Sequence, residues 1–259
     1  MHERVDVATR PRTTYPASEA ERDVVVVEEP LEVRVEGDVL AVLMRTPGHD
    51  LELVAGWLHG EGVIEERSDL AAIASTPTGG AVDVRLAAGV AAHAAALDRA
   101  RRQIVATSAC GVCGRSSIDD ALRSGVRPSA FRVDDHVLLG LSERLSPAQP
   151  LFAATGSAHA AALFDASGAL ELVREDVGRH NAVDKIVGAR LLADRVPVEE
   201  RGLFVTSRAG FEIVQKAVIA RIGLVVAVGG ASSLAIDLAA AAGVTLIAFL
   251  RPGRFNRYG

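Results

Sequence analysis

From Val24 to about Leu86, apolar and polar residues alternate with a period of two in short runs. DVVVVEE (23–29) and LEVRVEGDVLAVLMR (31–45) alternate around Gly37-Asp38, which predicts a β-hairpin. In GHDLELVAGWLHGEGVI (48–64) the spacing changes. Leu51, Val54, Ala55 and Leu58 fall on one helical face, and Gly60 and Gly62 stop the helix. AVDVRLA (81–87) predicts one more short strand. The alanine-rich stretch from Val90 to Arg102 fits a helix or a strand equally.

From about Arg132 the rhythm turns to βα alternation. DDHVLLGLSERL (134–145) is a helical stretch that ends at Pro147. The strands SAHAAALFD (157–165) and ALELVRED (169–176) follow, with a turn at Ser167-Gly168. Helix AVDKIVGARLLAD, strand GLFVTS, helix FEIVQKAVIARIG, strand LVVAVGG, helix SLAIDLAAAAG and strand VTLIAFL complete the chain's second half. Continuous apolar strands imply a sheet covered on both faces, an α/β layer.

Length and composition narrow the picture. The 259 residues suffice for one large domain or two modest ones, and 49% are apolar, so a sizeable core can be buried. A net charge of −5 with interspersed signs speaks against a general nucleic-acid binder. The charged start, residues 1–22 with Pro11 and Pro16, lacks the apolar stretch of a signal peptide and is expected to be a flexible tail. No window reaches the ~18 consecutive apolar residues of a membrane helix, so a soluble, cytoplasmic protein without membrane contact is expected.

Only two cysteines occur, Cys110 and Cys113, inside ATSACGVCGRSS (106–117). That stretch of small residues belongs to no periodic element and predicts a mobile loop. Gly111 and Gly114 free the backbone, while Arg115 and a following helix start favour a thiolate. Three readings stay open at this point. A structural zinc would need two more ligands, such as His159 or His180. A thioredoxin-like dithiol would sit at the start of a long helix after a strand, not in such a loop. A reactive thiol carrying a group on a loop fits the composition best. The zinc-deaminase signature is absent, because His159 is followed by two alanines and the C-x-x-C precedes it.

Three glycine-bearing turns, EDVGRHNAVDK (175–185), TSRAGFE (206–212) and VGGASSLA (228–235), precede or open helices. Such helix starts offer free N–H groups to phosphates, so Ser207, Arg208, Ser232 and Ser233 are candidates to line an anionic pocket. His180 and Asp184 lie one helical turn apart, and a satisfied His–Asp pair in a solvated first turn accounts for them. The terminus FLRPGRFNRYG carries Arg251, Arg254 and Arg257 beside Phe255 and Tyr258. It fits a frayed basic tail, or a pocket edge suited to phosphates and a purine.

Taken in order, CGVCG, GSAHAAALFD, REDVGRHNAVDK, TSRAGFEIVQKA, GGASSLAIDLA and FLRPGRFNRY resemble the formate dehydrogenase accessory sulfurtransferase family, from about residue 24 to the end. The resemblance implies a cytidine-deaminase-like three-layer α/β/α domain preceded by a smaller α+β domain. The expected division is a tail at 1–22, an α+β domain at 23–105, the C-x-x-C loop at 106–117 and a cofactor-binding α/β domain at 118–259. It further implies a sulfur carrier that takes persulfide sulfur from a cysteine desulfurase. The sulfur would pass to the molybdenum bis(molybdopterin guanine dinucleotide) cofactor before that cofactor enters formate dehydrogenase. Cys110 would carry the persulfide and Cys113 would assist. Phe249, Leu250, Arg251, Pro252, Gly253 and Arg254 match the family's cofactor-binding segment, and Ser207, Arg208, Ser232, Ser233 and His180 join the cofactor-binding set. A guanine nucleotide would mimic the cofactor, no zinc is expected, and the formate dehydrogenase apoenzyme and a second copy of the chain would be partners. The alternatives are a non-catalytic chaperone for the same cofactor and a dithiol oxidoreductase.

Overall fold

The computed structural model describes residues 6–12, 21–88, 122 and 127–259. Both cysteines, the loop at 106–117, the stretch from Val90 to Arg102 and the expected boundary near residue 105 lie outside the described residues.

The first large element is a four-stranded sheet in the order β4-β3-β6-β5. It comprises β3 (Glu29–Val35), β4 (Asp38–Arg45), β5 (Leu70–Ser75) and β6 (Ala81–Leu86). β3 and β4 form the expected hairpin, with Glu36 and Gly37 both at positive φ in the turn. The pairing of β3 with β6 is parallel and the others are antiparallel. Helix α1 (Asp50–Gly60) lies on this sheet, burying Leu53, Val54 and Leu58 against Leu31, Val33, Val82 and Val84.

Part of the expected N-terminal tail is ordered. β1 (Val7–Arg12) pairs antiparallel with β2 (Glu21–Val26), setting Val7 opposite Val26 and Thr9 opposite Val24. The β-branched residues of both segments favour that ribbon despite Pro11. Of the segment DVVVVEE, Asp23–Val26 therefore lies in this ribbon and Glu29 begins the next strand, β3.

The second sheet has six strands in the order β12-β11-β10-β9-β7-β8. They are β7 (His159–Phe164), β8 (Leu170–Asp176), β9 (Gly202–Val205), β10 (Leu224–Ala227), β11 (Thr245–Arg251) and β12 (Arg254–Tyr258). β9, β10 and β11 are parallel; β7 runs against both β8 and β9, and β12 against β11. One face carries Ala161, Leu163, Leu203, Val205 and Val225 against the buried sides of the helices that follow the strands. The other face packs Ala162, Phe164, Phe204 and Val226 against Phe131, Leu138, Leu141 and Leu145 of a helical cover. That cover is α2 (Asp135–Leu139), α3 (Leu141–Leu145) and α4 (Pro150–Thr155), the expected single helix being divided at Gly140. The remaining helices are α5 (Arg179–Leu192), α6 (Phe211–Ile219) and α7 (Ser233–Ala242). The chain is thus an α/β protein with helices on both faces of its larger sheet.

α1 and α5 join the two sheets. A Cβ on Gly56 would overlap the carbonyl oxygen of Asp184, and one on Gly188 would overlap that of Glu52. Two glycines at the crossing let the helix backbones touch, and Leu191 of α5 enters the core under the smaller sheet.

Candidate functional site

Because β8, β9, β10 and β11 point the same way, their C-terminal ends meet at one edge of the sheet. The start of β7 lies there too, since His159 pairs with Asp176. The ends of β8, β9 and β10 run into the three glycine-bearing turns singled out above, so α5, α6 and α7 all begin at this edge, and β11 ends there in the turn at Pro252-Gly253. Open sheets bind ligands at such edges.

The turns are tied to one another by backbone. Gly229 N–H donates to Ser207 O at 2.9 Å, Ala209 N–H to Gly230 O at 3.0 Å and Phe249 N–H to Gly229 O at 2.9 Å. Two glycines permit this crowding: a Cβ on Gly229 would come within 2.8 Å of the Arg208 backbone, and one on Gly230 within 2.7 Å of the Phe249 ring. Phe249 itself adopts φ 52°, a region costly for an aromatic residue, and the residue is 48% exposed. Arg251 reaches back, donating from Nη1 to Val228 O at 2.6 Å.

The predicted residues are therefore brought together, though several side chains are already engaged. Ser232 caps α7, its Oγ accepting from Ala235 N–H at 3.3 Å. Ser207 is buried and donates to Arg208 O at 3.1 Å. Ser233 and Arg208 are exposed. Pro252 and Gly253 form the turn between β11 and β12, with Gly253 at φ 75°. The terminus is thus a paired strand and not a frayed tail. β12 runs away from the site, so Arg257, which pairs with Asp135 and lies over Phe255 at 5.4 Å, stands near the opposite edge of the sheet.

α5 and α6 both begin at glycines, Gly178 and Gly210, with no side-chain cap. The N–H groups of those first turns and the adjoining Arg179 and Arg208 make the edge suited to anions.

The expected His180–Asp184 pair is not formed. His180 Nε2 lies 2.9 Å from Glu212 Oε2 on α6. Asp184, one turn deeper, receives Lys216 Nζ at 2.6 Å. Burial pulls the Lys216 ammonium down, but Asp184, Glu61 and Glu212 outweigh it and hold it above its ordinary value. Nor is the first turn fully solvated: Arg179, His180 and Asn181 are half-buried, and Asp184 and Lys185 in the next turn are buried.

Thr206 and Glu212 were not singled out from the sequence, and His159 was weighed there only as a zinc ligand. His159 lines a cavity of about 510 Å³ with Gln149, Phe152, Phe204, Thr206 and Val228. Burial, then Arg179 and His180, push its ring below the ordinary imidazole value, with Asp176 pulling the other way. Its place at the start of a strand, beside strands that end in glycine turns, is the sequence signal for a crevice role.

Such an edge, with converging helix starts and a motif block on each turn, is what a family comparison can decide. The FdhD/NarQ family model matches residues 26–259. The chain belongs to this family. Similar FdhD relatives include the sulfur carrier protein FdhD of Streptomyces coelicolor, 46% identical over 249 residues, covering 91% of this chain and 87% of the relative. The sulfur carrier protein FdhD of Anaeromyxobacter dehalogenans is 45% identical over 264 residues, 97% of this chain and 92% of that protein. That of Mycobacterium tuberculosis is 41% identical over 268 residues, 97% and 91%. The fold is also that of a proposed formate dehydrogenase accessory protein from Desulfotalea psychrophila, whose crystal structure gives a TM-score of 0.75 at 24% identity over 97% of this chain and 95% of that one. No helix among the described residues of this FdhD/NarQ chain is long and apolar enough to cross a membrane.

Proposed function

We propose that this chain is a sulfur carrier for formate dehydrogenase maturation. The observation that carries the reading is the edge where four strand ends and three helix starts converge, in a chain 41–46% identical to proteins named sulfur carrier protein FdhD. Cys110, which lies outside the described residues, is the carrier. Its thiolate attacks the outer sulfur of a persulfide on a cysteine desulfurase; that S–S bond breaks and the desulfurase thiolate leaves and takes up a proton. Cys113 assists. The outer sulfur then passes to molybdenum bis(molybdopterin guanine dinucleotide), the cargo that the crevice holds, as the persulfide S–S bond breaks and Cys110 leaves as the thiolate.

The crevice residues suit that cargo. Uncapped starts of α5 and α6, with Arg179, Arg208 and Ser233 beside them, favour its pyrophosphates. The exposed ring of Phe249 offers a stacking face for a flat heterocycle, and Leu250 through Arg254 hold that ring at the rim. A cytoplasmic homodimer serving a formate dehydrogenase apoenzyme is part of the reading.

The competing reading, a cofactor chaperone without sulfur chemistry, is separated by one substitution. In cells lacking the native chain, Cys110→Ala should abolish formate dehydrogenase activity while the purified variant still binds GDP. Activity at the wild-type level in that variant would establish the chaperone instead.

A further inference from the structure

His180 and Glu212 form a contact that the anion-binding features do not explain. Both stand second in their helices, α5 and α6, at the crevice edge. Their side chains are about three-quarters covered, at 26% and 24% exposure, and 2.9 Å apart. The surrounding charges leave the ring no other carboxylate partner of comparable closeness among the described residues. Asp184 on α5 is taken by Lys216 of α6, and Asp176 at the end of β8 by Lys185. His159 of β7 lies within electrostatic reach of the ring, as His180 and Arg179 both act on it.

A neutral imidazole has one N–H and one bare nitrogen. A carboxylate at Nε2 accepts that N–H and so fixes the tautomer, which leaves Nδ1 bare. No described residue donates to Nδ1 of His180 in a hydrogen bond. A bare nitrogen accepts, and so recognises an N–H or O–H group rather than a phosphate oxygen.

We infer that Glu212 is a positioning residue that fixes His180 as a hydrogen-bond acceptor for the nucleoside part, base or ribose, of the crevice ligand. This rests on the crevice reading above and adds to it a division of labour. Helix starts and arginines take the phosphates, while His180 reads a donor on the nucleoside. A plain tether between α5 and α6 would need the contact equally, but would not care which nitrogen carries the proton.

The test is binding of GDP and of inorganic pyrophosphate to wild type, Glu212→Ala and Glu212→Asp. It is read with ¹⁵N NMR of the His180 ring and with melting temperatures. The expected result is a fixed Nε2–H tautomer in wild type that is lost in E212A, with GDP affinity down roughly tenfold, the size of one good hydrogen bond. Pyrophosphate affinity should stay unchanged, and E212D should restore tautomer and GDP affinity. A lowered melting temperature with unchanged GDP affinity would reduce the contact to a tether. An equal loss for pyrophosphate would overturn the acceptor role. No GDP binding by wild type would instead bring down the crevice reading itself.

Discussion

Lys185 Nζ stands 2.7 Å from Asp176 Oδ2, and neither side chain is more than 1% exposed. The pair is embedded: Lys185 also donates to Thr46 O at 3.1 Å and to Glu175 O at 3.2 Å. Asp176 accepts from Thr46 N–H, Gly178 N–H and Asn181 Nδ2 at 3.2, 2.8 and 2.9 Å. Thr46 follows β4, so the network fastens the smaller sheet to the strand end that opens the crevice.

Removing one partner leaves a buried charge without compensation. Lys185→Met should destabilise the protein by about 3–5 kcal/mol, read from urea unfolding. The double variant Lys185→Met/Asp176→Asn should recover part of that loss, because the orphaned charge is gone.

The glycine crossing of α1 and α5 makes a sharper claim, since the clash is with backbone. Gly56→Ala and Gly188→Ala should each cost about 3 kcal/mol or more, despite alanine being the better helix former. Gly80→Ala, where nothing lies within 4 Å of the added Cβ, should be nearly neutral in the same unfolding assay.

His59 sets an acid limit. Its ring is buried in α1, with Nδ1 3.2 Å from Ile64 O and Nε2 without a partner among the described groups. Burial pushes its pKa from 6.5 down to about 4. The folded state is then neutral where the unfolded chain protonates, so the contribution is complete above about pH 6.5 and is lost as pH falls toward about 4. Stability should decline by up to about 1.4 kcal/mol per pH unit in that window. His59→Gln should flatten this part of the profile in a pH series of melting curves.

Phe249→Ala removes the exposed ring while leaving the hydrogen bond from its backbone N–H to Gly229 O in place. GDP affinity should fall about tenfold, as loss of one base–aromatic stack does. Pyrophosphate affinity should change little.

Much of the larger sheet was legible because fully buried strands and their helices write continuous apolar runs: GLFV and LVVA are strands of four buried residues each. The glycine and serine turns follow those strands, and the parallel strand order gathers them at one edge of the sheet. The spacing argument failed where partners came from elsewhere in the chain. Asp184 sits at helical spacing from His180, yet Lys216 lies closer in space and takes it. The burial of Lys185 leaves no trace in the sequence pattern, because Thr46 and Asp176 close over it from elsewhere in the chain. β1 was missed because a two-stranded ribbon leaves most of its side chains exposed and so leaves no apolar period. Arg257 was grouped with Arg251 by proximity in the chain, although the turn at Gly253 sends them to opposite ends of a hairpin.

The most direct test of the sulfur-carrier claim is intact-protein mass spectrometry after incubation with an active cysteine desulfurase and cysteine, on pre-reduced wild type and Cys110→Ala. The account predicts a reductant-labile gain of one sulfur atom in wild type that is absent from the variant. No gain in wild type, or an equal gain in the variant, would contradict Cys110 as the carrier.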